Sequence, residues 1–227
     1  MTNWILQTVL SIPGMVLFFS FRGFFQAWVA KKLGDTLPER NGYLTMNPLA
    51  HINPIGFLMI LIVGFGFGKS IQFDSSAYKH PKRDGAIQIL SAPLAGIILG
   101  FVLYALYFIV YELIGGLAGI MDNKIIYYTG LVLYYSCYIS IALTVFHLLP
   151  LPGLDTYRLI VHFLPYEYYR KIYQIEKYSL WIFLGFLILL RIPVLGDNIR
   201  YYLLDLPISG IMRLIALPFD LILKLIN

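Results

Sequence analysis

Long uncharged runs alternate with short polar stretches along this chain. Residues 4–21, 86–111 and 125–154 carry no charged side chain, and the apolar pattern of the first run continues to residue 30. A membrane-crossing helix needs about 20 mostly apolar residues to traverse a hydrocarbon core roughly 30 Å thick. The pattern therefore predicts helices over residues 3–33, 86–114, 125–149 and 178–195. Residues 41–68 are also uncharged but rich in Asn, Pro and Gly. Their purely apolar part, residues 55–68, is too short for an ordinary span. It predicts a re-entrant or strand-like segment, or a short span, of the kind tolerated where protein shields the backbone from lipid. Polar connections fill residues 69–84 and 158–177.

The tail, residues 203–226, reads differently. At roughly 100° per residue, Asp205, Arg213, Asp220 and Lys224 fall within about a third of a helix circumference. That predicts an amphipathic helix lying in the interface, broken at Pro207 and Pro218, with a fifth span as the alternative. On the second helix, Ala92, Gly96 and Gly100 recur every fourth residue. Small residues at that spacing let a neighbouring helix approach closely.

Composition supports the membrane reading. Of 227 residues, 59% are hydrophobic and 13% charged. The mean hydropathy is +0.75. A soluble domain of this length needs more charge to cover its surface. The first apolar run lacks a basic flank ahead of it and is read as a retained span rather than a cleaved signal. Cys137 is the sole cysteine, which excludes a disulfide framework or a thiolate zinc cluster. The net charge of +5 fits loops beside anionic lipid. Its basic residues are scattered between apolar runs, which argues against nucleic-acid binding. If the 55–68 segment does not cross, then Lys31, Lys32, Arg40, Lys69, Lys79, Lys82, Arg83, Arg158, Arg170, Lys171 and Lys177 share one side. Only Lys124 falls in the loop between the second and third helices. That bias makes the former side cytoplasmic. The Tyr-rich stretches around residues 127–138 and 166–178 fit interfacial anchoring and packing.

Several segments carry a family resemblance. Ala27-Trp28-Val29-Ala30 followed by Lys32-Leu33-Gly34-Asp35 is one, and the whole stretch from Gly42 to Gly56, including Asn47-Pro48, His51 and Asn53-Pro54, is another. His80-Pro81-Lys82-Arg83-Asp84, Ser91-Ala92-Pro93-Leu94-Ala95 and His147-Leu148-Leu149-Pro150-Leu151-Pro152-Gly153-Leu154-Asp155 follow in order. Together they resemble the site-2 proteases, intramembrane zinc metalloproteases, over roughly the first four-fifths of the chain. The resemblance implies an all-α polytopic membrane protein with a site-2-protease-like helical core, forming a single membrane domain over residues 1–227. It also implies a multi-pass position in the plasma (inner) membrane of a bacterial cell.

The departures from that family fall on its chemistry. Its first core helix carries His-Glu-x-x-His, and a later helix supplies an Asp. Here Arg22 stands at the first ligand, Gly23 at the general base and Gln26 at the second ligand. Asp155 remains at the third ligand position, with His147 and Thr156 at flanking positions where the family has Asn and Gly. Gly96 stands where the middle helix often has Asn. Hydrolysis at zinc needs neutral imidazole or carboxylate ligands, an open position for water, and a base. A guanidinium stays protonated and offers only donors. A carboxamide is a weak ligand, and glycine has no side chain to act as a base.

An intramembrane Arg is costly and usually partnered. Arg22 is therefore expected to replace the metal as the counter-charge of Asp155, with Gln26 adding hydrogen bonds. The alternative is that Arg22 snorkels toward Lys31 and Lys32. On this reading no cofactor or metal is expected, and the chain binds a transmembrane segment or membrane partner without cutting it. Asn47, Pro48, Asn53 and Pro54 would offer unpaired backbone to such a segment by strand addition. Two alternatives remain open. One is an active metalloprotease with zinc relocated to His51, His147 and Asp155. The other is a small transporter or channel, although no internal repeat points to it.

Overall fold

A computed structural model describes residues 4–63, 66–117 and 123–226. Residue 3 of the expected first helix and residues 64 and 65 of the expected re-entrant segment lie outside this range. The elements in order are α1 (Trp4–Leu33), α2 (Leu37–Arg40), α3 (Pro48–His51), α4 (Pro54–Val63), α5 (Pro81–Tyr107), α6 (Lys124–His147), α7 (Asp155–Phe163), α8 (Tyr169–Lys177), α9 (Ser179–Leu189), α10 (Leu195–Arg200) and α11 (Leu206–Ile226). No strand occurs among the described residues. Among the described residues, four helical stretches are long and apolar enough to cross a membrane: Leu6–Leu33, Pro81–Ile114, Lys124–His147 and Leu195–Leu225. The protein is an all-α polytopic membrane protein.

Local chemistry sets the helix ends. α1 stops in a Schellman arrangement. Gly34, at φ +111°, adopts the left-handed conformation glycine tolerates, and the Gly34 and Asp35 N–H groups donate back to Lys31 and Ala30 carbonyls. α5 begins at Pro81, five residues ahead of the expected 86. Proline needs no partner at a first helical position, and the Asp84 carboxylate accepts from the His80 N–H at 3.0 Å. Capping, not hydropathy, decides that end. Beyond Tyr107 the helix loosens into a π-helical stretch, Phe108–Leu117. The Asn123 side chain caps α6 by accepting from the Ile125 N–H at 2.9 Å. α6 ends at His147, two residues short of the expected 149.

α1, α5 and α6 pack against one another to form the centre of the bundle. α6 is the helix admitted by the small residues of α5. A Cβ at Gly96 would lie 2.0 Å from Thr144 Oγ1, and one at Gly100 would lie 2.4 Å from Ile141 Cδ1. The Ser140 hydroxyl donates across that contact to the Gly96 carbonyl at 3.2 Å. We expect Gly96→Ala to cost about 2 kcal/mol through overpacking. Adding Thr144→Ala, which removes the offending oxygen, should recover most of that loss in detergent-solubilised unfolding measurements. Failure of the second change to rescue the first would place the strain elsewhere.

The packing is inverted relative to a soluble bundle. Leu90, Leu94 and Phe101 of α5 point outward, while Gln88 and Ser91 are buried. Lipid tails are as apolar as a protein core, so outward Leu and Phe cost nothing there. The buried hydroxyls of Ser20, Ser91 and Thr144 donate to carbonyls of their own helices.

Residues 52–63 and 66–68 form two arms whose bases meet. The Lys69 N–H donates to the His51 carbonyl at 2.7 Å, tying the two ends together. The outward arm is the ten-residue α4, and the return arm, residues 66–70, has no regular structure. The arms touch so closely that a Cβ at Gly56 would lie 1.9 Å from the Phe67 carbonyl oxygen. The segment is helical on its outward arm rather than strand-like, because the Asn53 carboxamide caps α4 by accepting from the Ile55 and Gly56 N–H groups.

The C-terminal third departs most from the pattern. The expected helix over 178–195 is α9, only eleven residues long. It joins the helical stretch Tyr166–Lys177 at a bend of 61°. Pro193 and a left-handed Val194 (φ 66°) then separate α9 from α10. From Leu195 onward the chain stays helical to Ile226 and is not broken at Pro207 or Pro218. A π-helical turn, Tyr201–Asp205, precedes Pro207. It resets the hydrogen-bond ladder where the proline lacks an N–H. Pro218 is accommodated inside α11. α11 packs on the C-terminal part of α5 and the middle of α6. Met212 reaches Cys137 at 3.7 Å, and the Phe219 ring lies 5.3 Å from that of Tyr104.

Candidate functional site

Arg22 and Gln26 lie one helical turn apart on the inner face of α1, and both are buried. Asp155 is the first residue of α7, immediately after the turn that follows α6. The fold brings these distant positions together. The Arg22 guanidinium donates to Asp155 Oδ1, with the two residues 8% and 2% exposed. Arg22 does not snorkel toward Lys31 and Lys32. Gln26 contributes no hydrogen bond to the pair through its amide nitrogen, which is buried without a protein partner. Arg22 Nε and Asp155 Oδ2 are likewise buried and unbonded to protein.

Gly23 and His51 meet at the base position. A Cβ on Gly23 would lie 2.1 Å from His51 Nδ1. His51 Nε2 lies 2.7 Å from the Thr45 carbonyl, which can only accept, so Nε2 carries the proton and Nδ1 holds a lone pair. Burial of the ring lowers its pKa; the Thr45 bond opposes this, and the nearby Lys69 and Arg22 charges reinforce it. The imidazole thus fills the space beside Gly23.

His147, at the end of α6, donates from Nδ1 to the Leu143 carbonyl at 2.8 Å and packs its ring against Phe18 and Phe146. Among the described residues no three His, Cys, Asp or Glu side chains converge to hold a metal ion, so His51, His147 and Asp155 do not form such a group. A zinc ion also needs neutral or anionic donors. A guanidinium stands where the first ligand would be and already occupies an oxygen of the third. The residues present do not fit zinc.

Asn47 and Asn53 act as helix caps. The Asn47 side chain accepts from the Leu49 N–H at 3.1 Å and Asn53 caps α4, with Pro48 and Pro54 opening the two helices. Much of the backbone expected to be free is therefore paired within α3 and α4. The irregular arm 66–70 lies beside them instead. Phe67, Gly68, Lys69 and Ser70 line a cavity of about 410 Å³, together with Asn53, Arg22 and His147. Its lining also includes Tyr157, Arg158, Glu176, Leu180 and Phe183. Sequence reasoning did not single out Tyr157 and Arg158 as site residues. Their spacing two and three positions after Asp155 on a helix was the available signal.

A span carrying two polar side chains one turn apart, facing an Asp at the start of a later helix, is the layout of an intramembrane metalloprotease centre. Here the ligand and base side chains on that span have been exchanged. Comparison with known proteins agrees with that class. The chain is 31% identical over 208 residues to "Putative zinc metalloprotease YwhC" of Bacillus subtilis (strain 168), covering 91% of this chain and 90% of that protein. It is 26% identical over 194 residues to "Putative zinc metalloprotease Rip2" of Mycolicibacterium smegmatis, covering 83% and 69% respectively. No family profile and no solved structure matches. The chain belongs to the site-2 protease family.

Proposed function

We propose that this family member is a pseudoprotease of the plasma (inner) membrane of a bacterial cell. It holds a transmembrane segment of another protein without cutting it and uses no metal. The observation that carries this reading is the buried Arg22–Asp155 contact. A fixed cation neutralises the carboxylate that would otherwise ligate zinc, so no metal-bound water is provided for the His51 imidazole beside Gly23 to deprotonate. The cavity between the 66–70 arm and α9 supports the binding half. It combines irregular backbone with the apolar Phe67, Leu180 and Phe183. Irregular backbone at membrane depth suits an unwound segment that pairs by its main chain.

The test combines metal analysis with crosslinking. Purified protein is expected to contain well under one zinc per chain, and a photo-crosslinker placed at Ser70 should capture an intact membrane protein in native membranes. Stoichiometric zinc that disappears on Asp155→Ala would instead establish a relocated, working centre. Capture of cleaved fragments only would refute the holding role.

A further inference from the structure

The cavity beside the Arg22–Asp155 contact straddles two kinds of surroundings. Arg158 is the first resource there. It donates to the Ile71 carbonyl at 2.8 Å and lies 5.7 Å over the Phe73 ring, which fixes it while leaving other guanidinium donors free. Lys69 is exposed and donates once, to the Leu49 carbonyl at 2.6 Å. An ammonium carries three donors, so two remain. Tyr157 OH and Arg22 Nε are buried, without protein partners, on residues that line the same space. Donors with capacity to spare, lining one space, suit an anionic oxygen cluster.

The charge count sets the valence. Arg22, Lys69 and Arg158 carry three positive charges against two carboxylates, Asp155, paired with Arg22, and Glu176, which lines the same cavity. One positive charge is left, which a single negative charge neutralises.

Much of the remaining lining is apolar. Glu176 is the penultimate residue of the polar helix α8, and beyond the 61° bend Leu180 and Phe183 of α9 line the cavity with Phe67. A cavity lined by both cationic and apolar side chains matches an amphiphile lying across the boundary between interface and hydrocarbon. At about 410 Å³ it falls within the range of roughly 300–1,000 Å³ typical of small-molecule sites.

We propose that this cavity binds one anionic phospholipid. Its phosphodiester rests on Arg158, Lys69 and Tyr157, and the start of an acyl chain lies along Phe67, Leu180 and Phe183. This proposal does not depend on the pseudoprotease reading. The two occupants share the cavity, however, so loading with anionic lipid should reduce capture by the Ser70 crosslinker.

Native mass spectrometry of the full chain in detergent tests the proposal. The protein would be titrated with dioleoyl phosphatidylglycerol, dioleoyl phosphatidylcholine or inorganic phosphate. One phosphatidylglycerol per chain is expected to be retained about tenfold more tightly than phosphatidylcholine, with no comparable retention of inorganic phosphate. Arg158→Gln and Lys69→Gln should each weaken retention several-fold. Glu176→Gln removes the opposing charge from an exposed position and should tighten it about threefold. The exposed Arg213→Gln, outside the cavity, should leave it unchanged. Equal retention of the two lipids, equal retention of inorganic phosphate, or a phosphatidylglycerol affinity unmoved by both Lys69→Gln and Glu176→Gln would overturn the proposal. The Glu176→Gln arm keeps the test decisive even if Arg158→Gln fails to fold, because a gain of binding cannot arise from loss of structure. Absence of zinc is irrelevant to this result, so the two readings fail independently.

Discussion

Arg22→Leu should destabilise the folded protein by about 3–5 kcal/mol, because it leaves the Asp155 carboxylate buried without its counter-charge. Surface ion pairs are worth only about 0–1 kcal/mol, so the size of the effect distinguishes the two settings. The 8% and 2% exposures of Arg22 and Asp155 place this contact in the first class. The matching control is Arg22→Leu with Asp155→Leu. Replacing both members of a buried pair with apolar residues is often neutral, so the double variant should recover most of the loss. Unfolding in mixed micelles reads all three proteins. A single-variant loss below about 1 kcal/mol would mean that water reaches the pair and that it does not organise the site.

Gly14→Ala should be at least as damaging relative to its size, at about 3 kcal/mol. A Cβ there would lie 2.4 Å from Ser136 Cα and 2.8 Å from the Ser136 carbonyl oxygen. Unlike the Gly96 contact, this one is with main chain, which cannot rotate aside, so α1 and α6 must separate. No single side-chain truncation on α6 should rescue it. Gly210→Ala is the control, since nothing lies within 4 Å of a Cβ at that exposed position on α11. That change should be neutral or stabilising by about 0.5–1 kcal/mol, the usual preference for Ala over Gly inside a helix. Equal tolerance of the two changes in thermal unfolding would contradict the close α1–α6 crossing.

The two variants probe features of different legibility. The pairing of Arg22 with Asp155 was readable before any coordinates, but only through resemblance. Positions 133 apart in sequence share no local period. They were linked because both fall on ligand positions of one metal centre. The physics of a buried cation then supplied the reason for a partner. The role of Gly14 was not legible, since nothing marks it apart from other glycines until α6 is seen against it. His51 is intermediate. Its sequence context was recognised, yet its ring filling the space beside Gly23 depends on how α3 turns back onto α1. In the sequence Lys69 and Arg158 read only as cytoplasmic loop charges, because they come from two different polar connections, and Glu176 lies at the far end of the second.

By itself the sequence determined the solvent. Uncharged runs of spanning length dictate a helical membrane protein, since hydrocarbon cannot satisfy an exposed backbone. It also determined that α5 would carry a close-packed face, through its four-residue spacing of small side chains. Tertiary structure decided where the helices bend and end after residue 178. Short apolar segments flanked by proline have no strong period of their own, and packing on α5 and α6 holds the last helix continuous through Pro207 and Pro218. It likewise decided which charges are paired and which are left to face the cavity. That depends on which connections the bundle gathers at one end, and no local pattern records it.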